Sequence, residues 1–148
     1  MRYEAESISL EWYRRVEPLL KAAYAEVGDG EAMAPSEDMY QAMATDLTSF
    51  VLTAYTDDGE PVGIAMIPIN RSPHSDIYVA TNDLIYVKPE YRNCGIGACL
   101  FKMAEAEAEE RGADRFYWAI PPGSPLDKAL ARRRQKYQLF EVVYRRDF

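Results

Sequence analysis

Arg92-Asn93-Cys94-Gly95-Ile96-Gly97-Ala98 is the stretch whose residue types and spacing could do chemistry most directly. It stands between an apolar strand, Leu84 to Val87, and a helical pattern that runs to Arg111. A tight glycine turn at that junction aims several backbone N–H groups, at the positive end of a helix dipole, toward an anion. Glycine serves here because it lets the backbone approach a phosphate closely and adopts φ values that other residues resist. Two glycines spaced by one residue are a common pattern, so the strand before them and the helix behind them carry the meaning.

Other reactive side chains are few. Cys94 and Cys99 lie five apart across the helix start and point in different directions, which rules against a mutual bridge. The single histidine, His74, sits between Pro73 and Ser75 and reads as a loop residue. Together these residues have no metal-ligand spacing.

The elements that must position the glycine turn are legible as periodicities. Tyr3 to Ile8 reads as a strand, and Leu10, Tyr13, Val16, Leu20 and Ala23 recur at helical spacing until Gly28 and Gly30. Pro35-Ser36-Glu37-Asp38 is a helix start with Ser36 as N-cap, and it places Met39, Met43 and Leu47 on one face. Phe50 to Tyr55 and Pro61 to Ile69 read as antiparallel strands joined at Asp57-Asp58-Gly59, and Asp76 to Val87 as another strand ended by Lys88-Pro89. The helix behind the turn spans about Ile96 to Glu110, burying Leu100, Met103, Ala104 and Ala108, with Gly112 as its C-cap. Arg115 to Ile120 reads as a central strand, Pro121-Pro122-Gly123 as a loop and Ser124 to Arg134 as a helix. The alternation of Phe140, Val142 and Tyr144 makes Tyr137 to Arg146 the strand that closes the sheet.

Composition bounds the class. The 148 residues are 48% apolar and 28% charged, which fits one ordinary soluble domain spanning 1–148. No apolar run approaches the roughly 20 residues of a membrane helix, and the first residues lack the apolar core of a signal peptide, so the expected address is the cytoplasm. Charge divides unevenly: residues 1–91 carry 16 acidic and 6 basic side chains, whereas residues 92–148 carry 8 and 11. An acidic whole argues against general nucleic-acid binding, which needs Lys and Arg on phosphates. Most individual charges read as solvated helix faces.

Strand, two helices, three strands, phosphate loop with helix, strand, helix, strand: this order resembles the GNAT superfamily of acyl-CoA-dependent N-acyltransferases. The specific part is Leu84 to Leu100, where the family has [Arg/Gln]-x-x-Gly-x-[Gly/Ala], matched by Arg92, Gly95 and Gly97 behind Val87-Lys88-Pro89-Glu90-Tyr91. The resemblance implies a mixed α/β (α+β) domain. Its mostly antiparallel sheet of six to seven strands is flanked by about four helices and splayed at a central parallel pair. It implies acetyl-CoA as cofactor, with the pyrophosphate on the backbone of Asn93, Cys94, Gly95, Ile96, Gly97 and Ala98. The pantetheine arm would then lie along Ile85, Tyr86 and Val87. Arg92 then organises the loop or meets phosphate, the bland alternative being a surface arginine. Ile85 and Val87 also serve simple core packing.

Acyl transfer to an amine needs a neutral amine, a stabilised oxyanion and a protonated or stabilised leaving thiolate. A backbone N–H of Leu84 to Val87 is the implied oxyanion donor. Asp83 and Glu90 are the candidate bases, with Asp83 nearer the strand's centre; a solvent-facing strand-end carboxylate is the competing reading for it. The family's tyrosine acid precedes a Gly-Phe by four residues, but here Lys136-Tyr137 replaces Gly-Phe and Arg132 stands four residues before it. The alternatives are protonation by Tyr137, Tyr117 or Ser124, stabilisation by Arg132, or lost catalysis. Direct transfer is expected over a covalent Cys94 intermediate, although a thiol at a helix N-terminus can be acidified. The acceptor is expected to be a cationic small molecule or protein amine, attracted by the acidic N-terminal half. A homodimer is compatible with the fold. A non-catalytic GNAT-fold binding or structural module in a larger assembly is the second reading.

Overall fold

The computed structural model describes residues 1–30 and 32–148. In chain order the elements are β1 (Arg2–Ser7), α1 (Leu10–Val27), α2 (Glu37–Met43), β2 (Phe50–Tyr55), β3 (Pro61–Ile67), β4 (Ile69–Arg71), β5 (Tyr78–Thr81), β6 (Leu84–Val87), α3 (Ile96–Glu110), β7 (Arg115–Tyr117) and α4 (Pro125–Ala131). They divide into a main unit, Met1–Trp118, and a smaller C-terminal unit, Ala119–Phe148. Three of the four helices among the described residues begin alike. Ser9, Ser36 and Ser124 each accept a backbone N–H in the first turn of α1, α2 and α4, and each of these turns carries an acidic residue that suits the dipole.

The strands form a four-stranded antiparallel sheet in the order β1-β2-β3-β6 and a three-stranded one in the order β4-β5-β7, where β7 runs parallel to β5. Two runs expected as single strands are interrupted. Pro61 to Ile69 breaks at Pro68, which has no N–H for a ladder, and the Ser49 hydroxyl accepts the next donor, Ile69 N, at 2.9 Å. Asp76 to Val87 breaks at Asn82-Asp83. Ile69 pairs with Ala80 whereas Met66 pairs with Leu84, so three steps on one strand face four on the other, which is a β-bulge. The bulge separates β6 from β5, and β7 pairs with β5 alone. The parallel pair is therefore splayed from that point onward.

The sheet buries side chains on both faces. Toward α3 lie Phe50, Leu52, Ala65 and Ile67, packed on Ile96, Leu100, Ala104 and Ala108, with Met103 half-buried beside them. Toward α1 lie Val51, Ile64, Met66 and Tyr86, packed on Trp12, Tyr13, Val16 and Leu20. The expected apolar face of α2 holds only in part: Met43 packs on this cluster, while Met39 and Leu47 are exposed. A seven-residue helix is too short to bury three residues at such spacing.

In the C-terminal unit, the expected strand Tyr137 to Arg146 is not formed. Residues 138–148 have no ladder, and Leu139, Phe140, Val142, Val143 and Tyr144 stand exposed. β-propensity describes fit to a paired, half-buried surface, and without a pairing partner alternation alone makes no strand. The expected strand Arg115 to Ile120 shortens to β7, at the edge of its sheet rather than its centre.

One buried polar pair gives a direct stability test. Thr53 and Trp12 are fully buried, and Trp12 Nε1 donates to Thr53 Oγ1 at 3.0 Å. Thr53→Val keeps the volume and removes the acceptor, leaving an indole N–H dry and unpaired. It should cost about 1–3 kcal/mol in chemical denaturation, and Thr53→Ser should cost less of that hydrogen bond. Equal midpoints for wild type and Thr53→Val would show the bond contributes nothing.

Candidate active site

β6 is the last strand of its sheet, so one of its edges has no strand partner. Its register with β3 fixes which groups face that edge. Lys88 N donates to Val62 O at 2.9 Å, and Tyr86 and Leu84 stand opposite Ile64 and Met66, so in an antiparallel ladder these residues point their main chain at β3. The alternating residues, Ile85 and Val87, point N–H and C=O outward. Their side chains pack toward α3, while Tyr86 is buried toward α1. Across the gap, Phe116 and Trp118 stack with centroids 4.2 Å apart, and Trp118 stacks at the same distance on Phe101 of α3. The same helix thus packs under β6 and under β7.

After β6, Pro89–Tyr91 form a short 3₁₀ turn that leads to Arg92. Asn93 then takes φ 65° and Gly95 φ 85°, both in the left-handed region. Gly95 is the N-cap of α3 and has no side chain to offer, and no acidic residue lies in the first turn. The first backbone bond into the helix is Cys99 N to Gly95 O, at 2.9 Å, so the amides of Ile96, Gly97 and Ala98 precede the intrahelical ladder. Among the four helices of the described residues, this start alone combines a bare cap with uncompensated positive dipole. Such a cradle of amides accepts an anionic oxygen.

Arg92 is held on three sides. Its Nε donates to Val87 O at 2.9 Å, its Nη2 donates to Glu26 Oε2 at 2.7 Å, and its guanidinium carbon stands 5.5 Å from the Tyr86 ring centre. The Arg92 hydrogen bond holds the Glu26 carboxyl below the usual carboxylate range. Glu26, 66 residues away in sequence, carries no motif; its only signal is an acidic side chain at the C-terminal end of a helix, where the dipole disfavours it.

Asp83 lies in the bulge, next to Leu84, where its charge reaches Tyr40 of α2. Its side chain is exposed at the surface, while the protein packed around the carboxyl still removes part of its hydration and raises its pKa above the ordinary value. Tyr40 of α2 is shifted up as well, first by burial, then by the charges of Tyr13 and Asp83. The Tyr13 and Tyr40 ring centres are 4.7 Å apart. These two tyrosines escape a sequence reading because each looks like one core position of a separate helix. Glu90 is exposed in the 3₁₀ turn.

Ser124 and Tyr137 belong to the C-terminal unit. Ser124 Oγ accepts from Asp127 N at 3.2 Å as the cap of α4. Tyr137 N donates to Arg133 O at 2.9 Å, and Lys136 Nζ stands 5.2 Å from the Tyr137 ring centre. The structure brings Ile85, Tyr86, Val87 and the loop Arg92 to Ala98 together within the main unit, with Asp83 at the head of the same strand. Cys94 is exposed with its thiol 3.4 Å from Arg92 O, and Cys99 is half-buried. Among the described residues no cluster of His, Cys, Asp and Glu could hold a metal, and no helix is long and apolar enough to cross a membrane.

Comparison with known proteins bears on the fold that carries this geometry. No curated protein matches the sequence. Among solved structures, a ribosomal-protein-alanine N-acetyltransferase from Brucella melitensis biovar Abortus 2308 superposes with TM-score 0.69 at 23% identity, covering 100% of both chains. An aminoglycoside acetyltransferase from an uncultured soil metagenomic sample, in complex with sisomicin, superposes with TM-score 0.76 at 15% identity, covering 99% of this chain and 95% of the other. The family model described as Acetyltransferase (GNAT) family matches residues 11–133, and the chain therefore belongs to the GNAT acetyltransferase family.

Proposed function

We propose that the protein is an acetyl-CoA-dependent N-acetyltransferase of the cytoplasm that acts on a cationic amine. The observation that carries this reading is the adjacency of two features: the unpaired edge of β6 and the bare N-terminus of α3. A ligand with a peptide-like arm and a pyrophosphate would satisfy both, since amides removed from water need partners and an amide cradle needs an anion. The residues therefore fit coenzyme A. Ile85 and Val87 would pair with the arm, and the backbone of Asn93 to Ala98, ordered by Arg92, would hold the pyrophosphate. When bound, the cofactor supplies an acyl group activated as a thioester.

The chain's own groups supply the rest. An outward N–H of β6 stabilises negative charge on the acyl oxygen. Asp83 Oδ takes the proton of the incoming ammonium, directly or through one water, and its raised pKa makes it a stronger base than a solvated carboxylate. For the leaving thiolate the candidate hydroxyls are Tyr137, Tyr117 and Ser124, of which Tyr117 belongs to the main unit with β6.

The excess of 16 acidic over 6 basic residues in positions 1–91 favours a cationic acceptor, and of the two named neighbours one is a ribosomal-protein-alanine N-acetyltransferase and the other an aminoglycoside acetyltransferase. Calorimetry with acetyl-CoA should show saturable one-to-one binding, and an acetylation assay should rank aminoglycosides and polyamines above glutamate. Absence of binding at millimolar acetyl-CoA would instead favour a non-catalytic module, the reading suggested by Arg132 at the position of the usual tyrosine acid. A preference for glutamate would overturn the cationic acceptor.

A further inference from the structure

Glu26 occupies a position that helix energetics disfavour. It lies in the last turn of α1, where the dipole's negative end meets a carboxylate, and no basic residue of that turn offsets it. Its compensation comes first from Arg92, the first residue of the glycine motif, at 2.7 Å, and then from the Tyr86 hydroxyl, which donates to the same carboxylate. The same guanidinium spends a second donor on Val87 O at 2.9 Å and rests over the Tyr86 ring. One side chain thus joins the end of α1, the open edge of β6 and the entry to the left-handed turns at Asn93 and Gly95. Those turns have little else to define them: Asn93, Cys94 and Gly95 are exposed, and the cap of α3 has no side chain.

We propose that Glu26 is a positioning residue for the anion cradle. It orients the Arg92 guanidinium back onto Val87 and Tyr86, so that the amides of Asn93 to Ala98 are arranged before any ligand arrives. Pre-arranged donors raise affinity because ordering them no longer costs binding energy. The carboxylate itself touches neither cofactor nor acceptor; it acts through Arg92. Without Glu26 the guanidinium is released to solvent, and the loop samples several conformations, of which one suits the phosphates. A negative charge held near an anion site would by itself weaken anion binding, so a merely electrostatic role for Glu26 has the opposite sign. Glu26→Gln therefore separates the two: positioning predicts weaker coenzyme A binding, and through-space repulsion predicts tighter binding.

The inference rests on the coenzyme A reading, and the test keeps the two apart. Backbone ¹⁵N relaxation of residues 92–98 in the ligand-free protein judges positioning without any cofactor. Glu26→Ala should carry the order parameters of these amides from the rigid range, about 0.85, toward the flexible one, below about 0.6. In titrations with acetyl-CoA, Glu26→Ala and Glu26→Gln should weaken binding by roughly three- to tenfold, as suits a partly exposed ion pair. The loss should fall on KM for acetyl-CoA rather than on kcat, and Glu26→Asp should restore part of it. A double-mutant cycle with Arg92→Gln should show that the Glu26 effect disappears once Arg92 is gone. Unchanged loop order in Glu26→Ala, or a Glu26 effect that persists in the Arg92→Gln background, overturns the inference. Failure of the wild type to bind acetyl-CoA overturns the cofactor reading, with the relaxation result still deciding the role of Glu26.

Discussion

Asp83→Asn should lower kcat/KM by roughly 10²- to 10⁴-fold, the range associated with losing a positioned general base, while making the fold more stable at neutral pH. The two effects have opposite signs for one reason. Desolvation raises the Asp83 pKa in the folded protein above its unfolded value, so the neutral carboxyl is the form the fold prefers. Below the unfolded pKa, about 3.9, the group is neutral in both states and costs nothing. As pH rises through the window up to the folded pKa, the unfolded chain releases its proton first and stability falls. Above that window the full cost of the desolvated carboxylate is present. Asparagine, never charged, removes that cost. For activity the order reverses: the base must be ionised, so kcat/KM in the wild type should climb with unit slope through the raised pKa and then level, and this limb should vanish in Asp83→Asn. Denaturant midpoints and a pH–rate profile measure both halves. Wild-type activity in Asp83→Asn would remove Asp83 from the chemistry and leave it a strand-end carboxylate.

How much of this was visible in the chain depends on how local each determinant is. The glycine turn and α3 were legible because Gly95, Gly97, Leu100, Ala104 and Ala108 encode turn, helix and buried face within one short window. The hairpin at Asp57-Asp58-Gly59 was legible for the same reason. The bulge at Asn82-Asp83 was not, because it is a mismatch between two strands, with Pro68 and Ser49 on the far side setting the count. That hidden mismatch frees the edge of β6 and places Asp83. Glu26 and Arg92 illustrate the same limit, since their pairing is a fact of how α1 ends beside β6. Alternation in residues 137–146 misled because it reports what a strand would bury, without saying whether a partner exists.

Gly95→Ala compared with Gly59→Ala isolates the contribution of the cradle. Both glycines hold nearly the same left-handed backbone, φ 85° and 87°, and a Cβ added at either meets no atom within 4 Å. An L-alanine in this region costs about 1–2 kcal/mol wherever it stands, so both variants should unfold at lower denaturant by similar amounts. Their positions differ in one respect. Gly59 turns the hairpin between β2 and β3, where Gly59 N donates to Thr56 O at 3.0 Å and nothing further is asked of it. Gly95 opens α3, and its backbone sets the direction of the amides of Ile96 to Ala98. Alanine there relaxes the left-handed turn that it resists, and the amides that the turn aims are turned away. That removes one or two charge-assisted hydrogen bonds to phosphate, which are worth about 1.5–3 kcal/mol each. Gly95→Ala should therefore weaken acetyl-CoA by roughly tenfold or more, whereas Gly59→Ala should bind it as the wild type does. Equal affinity in the two variants would mean that the glycine turn is only a chain reversal, and the anion site would have to be sought elsewhere on the protein.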